Sequence, residues 1–384
     1  MPIYLDNSAT TRPFDEVVAA MNRCMTENFY NPSALYAPAV HAERELTETR
    51  RAIAASLQGN EKNVIFTSGG TESDNLAIWG HLQCQRKPGE VLYTAAEHAA
   101  VKNACIEAEA RFGCKAREIP LKANGSVDLD ALADMLSENT QLICVMHVCN
   151  ETGVIMPLRE ICELRDKLAP QAAIHVDGVQ GYLRVPFSFK QYKVQSYALS
   201  AHKIHGPKGV GALVLCDGHR IKPQMAGGGQ QNNLRSGTEN TYGIVGMHEA
   251  VRQYPKDALA AMQQKKQLLV ALLKEKLPET TVVGFDASDE MSAGHILNVA
   301  FPPVRAETLL HALEMDGICV GTGSACSSKK GSHSTVLKAM GCPVPVMEGA
   351  IRISLCPFNT EEEMHCTAEK IAEKVVMLRR FTRR

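Results

Sequence analysis

The chain has 384 residues, 41 basic and 42 acidic side chains and a net charge of −1 at pH 7, a balance that excludes binding to nucleic acid by bulk charge. Its 45% apolar content suits a large buried core and, at this length, two domains. No run is apolar enough to span a bilayer, no basic and apolar leader opens the sequence, and 13 cysteines without CxxC pairs argue for free thiols in a reducing cytoplasm rather than a disulfide framework or zinc site.

Val64–Thr67 reads as a β-branched strand, Ser68-Gly-Gly70-Thr71 as a small-residue turn, and the residues carrying Leu76, Ile78 and Trp79 as a helix. Such a turn can cradle phosphate, because the first N–H groups of the helix and the positive end of its dipole converge there. The pattern is neither a Walker loop nor G-x-G-x-x-G, so alone it marks only an anion site. Further strands are expected at Val91–Thr94, Leu142–Val148, Ala173–Val176, Tyr197–Ser200 and Val210–Cys216, alternating with helical segments. This is the α/β pattern of a mostly parallel sheet covered by helices. Ligands of such sheets gather at the carboxyl ends of the strands, and Thr71, Asn150, Asp177 and Lys203 each fall just after one.

From about Lys256 the character changes. An amphipathic helix with Met262, Leu268, Leu269, Leu272, Leu273 and Leu277 leads to strands near His295–Phe301 and Ile351–Leu355. Thr360-Glu-Glu-Glu363 is a capping box opening a last helix with Met364, Ile371, Val375 and Leu378 on its apolar face. The expected division is a large domain at 15–255 and a smaller α+β domain formed by 1–14 and 256–384. The basic end Arg379–Arg384 reads as a solvated helix terminus.

Lys203 lies in Ser200-Ala-His-Lys203-Ile-His-Gly-Pro-Lys-Gly209, between a buried strand end and a turn, and is a candidate Schiff-base former. A lone lysine in a turn is more often a solvated charge; the company it keeps decides otherwise. Ala173-Ile-His-Val-Asp177 ends in a carboxylate that could keep a pyridine nitrogen protonated, the alternative being a helix cap. Phosphate turn, strand-end Asp177 and strand-end Lys203, in that order, resemble the fold-type I pyridoxal-phosphate enzymes. Cys326 lies in Gly321–Ser334, a run with almost no apolar residue, where Lys329, Lys330 and His333 would favour its thiolate.

Longer motifs narrow the resemblance. Tyr4-Leu-Asp-Asn-Ser-Ala-Thr-Thr11, Asn31-Pro-Ser33, Glu97-His98, His147-Val-Cys-Asn150-Glu-Thr-Gly153, His175-Val-Asp177, Gly227-Gly-Gly-Gln230, Arg235-Ser-Gly-Thr238 and Gly321-Thr-Gly-Ser-Ala-Cys326 are similar to those of the NifS/IscS cysteine desulfurases, over nearly the whole chain. That resemblance implies a seven-stranded, mostly parallel sheet in the large domain and pyridoxal 5'-phosphate bound to Lys203. Asp177 would face the ring nitrogen, His98 stack on the ring, and Gln180 bond the ring oxygen. Gly70, Thr71, Ser200 and His202 would take the phosphate, joined by Thr238 of a partner subunit, which implies a homodimer.

Arg352, inside the apolar run Ala350–Ser354, needs a planar anion, either a structural carboxylate or the carboxylate of L-cysteine. The resemblance implies the second, with Asn150 and Asn31 assisting. Lys203 would then move the α-proton, and Cys326 would take the sulfur as a persulfide, leaving alanine. The sulfur would pass to an acceptor such as an iron–sulfur scaffold, whose cluster the Cys326 persulfide could contact. Gly70, Cys149 and Gly178 stand where the family usually has Ala, Asn and Ala, so altered packing near the cofactor is expected. The chain also stops soon after its last helix, without the longer tail that IscS-like members use against a scaffold, which leaves the acceptor open. A selenocysteine lyase is the alternative reading, and a non-catalytic scaffold homologue a third, disfavoured because Lys203, Asp177, Cys326 and Arg352 are all present.

Overall fold

Two sheets built from short apolar runs organise the chain in the computed structural model, which describes residues 2–322 and 333–382. β1 (Ile3–Leu5) belongs to the smaller one. The larger contains β2 (Val64–Thr67), β3 (Glu90–Thr94), β4 (Lys115–Ile119), β5 (Thr140–Met146), β6 (Ala173–Asp177), β7 (Ser196–Ser200) and β8 (Gly211–Leu215), in the order β2-β8-β7-β6-β5-β3-β4. β8 runs antiparallel to β2 and β7, while the other pairings are parallel. The mostly parallel seven-stranded sheet expected from the sequence is therefore present.

Both faces of this sheet are covered. Val91, Tyr93, Leu142 and Cys144 point into a core shared with Ile78, Val101 and Cys105 of the helices Gly70–Leu82 and Ala99–Phe112. Their alternates Leu92, Ile143 and Val145 join Tyr197, Leu199 and Leu158 on the other face. Burial on both sides is why these strands read as nearly continuous apolar runs. β4, Lys-Ala-Arg-Glu-Ile, is the charged edge strand, and its polarity hid it from the pattern. β5 ends at Met146 rather than Val148, because Val148 turns back to bridge Ile155. No helix follows Asp177: residues 178–184 form successive turns, with Leu183 left-handed at φ 59°.

The smaller sheet is β1-β11-β12-β10-β9, formed with β9 (Thr281–Val282), β10 (Ile296–Ala300), β11 (Ile318–Thr322) and β12 (Ala350–Ser354). β1 lies parallel to β11, and β12 sits antiparallel between β11 and β10. The helix Ala258–Lys276 buries Met262, Leu269 and Leu273 as its periodicity predicts, with Leu268 and Leu272 partly covered. The same face carries Lys266, only 2% exposed, whose Nζ donates to Ser292 Oγ at 2.6 Å and to Ala293 O at 3.0 Å. The capping box forms as expected: Thr360 Oγ1 accepts from Glu363 N at 3.2 Å, and Glu363 Oε2 from Thr360 N at 3.1 Å. Among the described residues no helix is long and apolar enough to cross a membrane.

Candidate active site

Because β8 reverses between β2 and β7, the carboxyl ends of β2, β5, β6 and β7 all lie on one edge of the large sheet. β2 leads into the turn Ser68–Gly69 and the helix beginning at Gly70; β5 leads toward Asn150; β6 ends at Asp177; and β7 ends at Ser200. Lys203 closes a single helical turn, Ala201–Lys203, immediately after β7. The strand ends thus bring Gly70, Asp177, Ser200, His202 and Lys203 to one place.

A segment that the sequence marks as a motif without revealing its task completes this edge. Lys203 Nζ donates to the carbonyl of Ala9 at 2.9 Å and to that of Ser8. Gln180 Nε2 donates to Ser8 O at 3.0 Å, and His202 Nδ1 lies 3.1 Å from Thr10 Oγ1. Arg352, on β12 and 5% exposed, donates from Nη2 to Asp6 Oδ1 at 2.8 Å and from Nη1 to Asn150 O at 3.0 Å, while its Nε is buried without a partner. Residues 6–10 therefore join the lysine of the large sheet to the arginine of the small one.

Burial dominates the electrostatics. It pushes the Lys203 amine down to about 7, helped by the Arg184 and Arg352 guanidinium groups and opposed by Asp177 and Asp6. Burial also raises the Asp177 carboxyl, against the pull of His98, the Val179 N–H at 2.9 Å and Lys203. Two further acids interact with it. Glu97 is pushed up to about 8 by burial, although Thr94 Oγ1 at 2.6 Å and Met146 N at 2.8 Å both donate to it. Asp74 is raised well above the carboxylate range by burial and by the charges of Asp177 and Glu97. Its Oδ1 lies 3.1 Å from His175 Nε2, and burial holds that imidazole at about 3, hence neutral. Three buried acids thus cluster at the Asp177 strand end, with Lys203, Arg184 and Arg352 as nearby cations.

The remaining sequence candidates are placed unevenly. His98 is exposed and caps the helix Ala99–Phe112, its Nδ1 accepting from Ala100 N at 3.2 Å. Thr71 is exposed in the first turn of its helix. Asn31 is exposed with its Oδ1 on Ser33 N at 2.9 Å, and Thr238 is exposed in the loop after Gly237, so neither is drawn to Lys203 by its own chain. The Thr238 loop is tied to the phosphate turn: Arg235 Nε donates to Glu72 Oε1 at 2.8 Å, and Glu72 Oε2 accepts from Ser68 N at 2.8 Å. Cys326, Lys329 and Lys330 lie outside the described residues. On one flank of that segment, Gly321 pairs with Arg352. On the other, Ser334 Oγ donates to Glu151 Oε2 at 2.6 Å, and burial raises this acid to about 7 against the Ser334 bond and Arg352. Both flanks thus attach beside Arg352 and Asn150.

The departures at Gly70 and Gly178 have a steric cause. A Cβ at Gly178 would lie 1.9 Å from the Tyr197 ring, and one at Gly70 would lie 2.6 Å from Val179 Cγ2. Cys149 is simply buried. Sequence reasoning missed Asp6, Ser8, Asp74, Glu151 and Arg184 as parts of the site. Charged residues inside apolar segments were the available signal, and only for Arg352 did it prompt a question.

The class-V aminotransferase family model matches residues 3–366. A cysteine desulfurase of Trichormus azollae is 36% identical over 381 residues, covering 98% of this chain and 94% of that protein. This chain belongs to that family. Within it, it groups with the NifS/IscS-like cysteine desulfurases. The IscS cysteine desulfurase of Methanosarcina thermophila is 36% identical over 385 residues, covering 99% and 93% of the two chains. Among solved structures, a NifS-like protein superposes with a TM-score of 0.89 at 33% identity over 98% of this chain and all of that one. SspA in complex with cysteine gives a TM-score of 0.81 at 28% identity, covering 93% of this chain and 100% of SspA.

Proposed function

We propose that this enzyme holds pyridoxal 5'-phosphate on Lys203 and, as a cysteine desulfurase, converts L-cysteine to L-alanine while transferring the sulfur to Cys326. The observation that carries the reading is the meeting of a buried, low-pKa amine, a buried strand-end carboxylate and a buried arginine fork at one sheet edge. The residues fit the cofactor. The start of the Gly70 helix offers its N–H groups to a phosphate, and Asp177, with Glu97 and Asp74 behind it, forms an acid cluster that a protonated ring nitrogen would complement.

When bound, the cofactor supplies an electron sink for the bond broken at the substrate α-carbon. Arg352 binds the substrate carboxylate through its fork, exchanging part of its bond to Asp6. Lys203 Nζ, pushed down to about 7 and so in part unprotonated at neutral pH, takes the α-proton and later returns it. The Cys326 thiolate attacks the substrate sulfur; an S–S bond forms as the C–S bond breaks, so one cysteine and one thiol give alanine and one persulfide.

Homodimerisation is part of the same reading. Val18, Met25, Phe29, Leu35 (97% exposed), Tyr36, Val40 and Tyr242 are exposed on or beside the helices Asp15–Thr26 and Ala37–Leu57 and the helix Thr241–Gln253 on which both pack. A second copy covering them would also bring a Thr238 from outside. The described cysteines are all thiols, which suits the cytoplasm, and the acceptor would be a sulfur-receiving protein such as an iron–sulfur scaffold. Borohydride reduction followed by peptide mapping should place the cofactor on Lys203. In a separate, unreduced sample, brief exposure to cysteine should leave one extra sulfur on the Cys326 peptide. Sulfur found on another cysteine, with alanine still released, would overturn the assignment of Cys326.

A further inference from the structure

Arg184 is among the most deeply buried cations of the chain, 2% exposed, at the end of the turns that follow β6. Its Nη1 donates to Gln180 Oε1 at 3.0 Å, its Nη2 donates to the backbone carbonyl of Lys203, and its Nε has no partner. Among the described residues no carboxylate pairs with it. A buried guanidinium without an anion is costly, since paired charge is what normally makes such burial tolerable. Arg184 instead directs Nη1 and Nη2 at two residues of the proposed site, and the Tyr254 hydroxyl also interacts with it.

We propose that Arg184 is a positioning residue that sets both the orientation and the charge state of the Lys203 side chain. Its fork ties the turn after β6 to the turn after β7, fixing Gln180 and the Lys203 backbone to each other. Through the same fixed geometry its charge acts on the Lys203 amine. The charged groups facing that amine are Arg184 and Arg352 on one side of the balance and Asp177 and Asp6 on the other, with His202 adjacent and held neutral at about 4 by burial. Arg352 is committed to Asp6 and Asn150, and on the proposed function it is engaged by substrate. Arg184 has no such competing anion among the described residues, so its repulsion stays constant and helps hold a share of Lys203 as free base near neutral pH, as proton removal requires. The inference deepens the proposed function, since it rests on Lys203 being the reactive amine.

The test uses the apo-protein. Trace acetic anhydride labelling across pH 5–11, with mass spectrometry of the Lys203 peptide, reads the titration of this amine without cofactor or turnover. In the unaltered chain the midpoint should fall near 7. Arg184→Gln should raise it by about one unit, the scale of one lost charge a few ångströms away. Arg184→Lys, which keeps the charge but not the fork, should leave it low while slowing alanine release. A midpoint unmoved in Arg184→Gln overturns the proposal, because a merely structural arginine would do that. If Arg184→Gln does not fold, a raised midpoint in Arg184→Lys overturns it equally. Failure of borohydride to trap cofactor on Lys203 would instead remove the function on which it rests, whatever the titration shows.

Discussion

Two lysines of this chain are pushed down to about 7 by burial, and their surroundings differ in every other respect. Lys266 points from a helix face onto Ser292 and Ala293, sealed at 2% exposure, and nothing around it could receive a reacting group. Lys203 is only partly covered, stands at the carboxyl edge of the large sheet, and has two arginines and two acids within electrostatic reach. A depressed amine pKa therefore reports desolvation. Function is marked by convergence of strand ends, opposed charges and an open approach.

The sharpest way to break the comparison is to remove each amine. Lys203→Ala should lose cofactor trapping and cut alanine release by about a thousandfold or more, whereas Lys266→Met should keep turnover within about threefold, both read by alanine assay. Loss of activity in Lys266→Met with cofactor intact would erase the distinction. Next, Arg352→Ala should lower kcat/KM for cysteine by about a hundredfold, mainly through KM, because on the proposed function the fork serves the substrate carboxylate. A change in kcat alone would assign it to Asp6.

A smaller effect is steric. Gly178→Ala places a methyl 1.9 Å from the Tyr197 ring and should cost about 1–3 kcal/mol in denaturant unfolding. Tyr197→Leu in the same chain should recover part of that loss. Smallest is the stability effect of Lys266. Held at about 7 when folded against an ordinary lysine value of 10.5, it leaves the unfolded chain binding more protons between those values, so stability rises with pH across that window. Lys266→Met should flatten that rise and stabilise the chain by about 1–2 kcal/mol at pH 7, less what Ser292 and Ala293 lose as partners.

Much of this site was legible because its chemistry sits at strand ends, where apolar runs stop at a polar residue. Asp177 after Ala173–Val176 and Lys203 after Tyr197–Ser200 were marked by that pattern together with the company each keeps in the sequence. Arg352 stood out as a charge inside an apolar strand, and its ion pair with Asp6 appeared only when β1 and β12 met in one sheet. Asp74 and Glu97 looked like ordinary polar residues near helix starts, since burial of an acid is a property of packing. Arg184 was hidden in turns that the sequence allowed to be a helix. The need for glycine at 178 lies 19 residues away, at Tyr197 on the next strand.

The tie between Asn7 and Ser354, residues 347 positions apart, has a consequence for biosynthesis. At ribosomal rates of roughly 5–20 residues per second, the opening segment waits on the order of twenty to seventy seconds before β12 exists to receive it. Until then the opening segment can be held to the large sheet through Gln180 and His202, but the pair between Asp6 and Arg352 cannot form. The junction of the two sheets is thus a late event, completed on a finished polypeptide rather than on a nascent one.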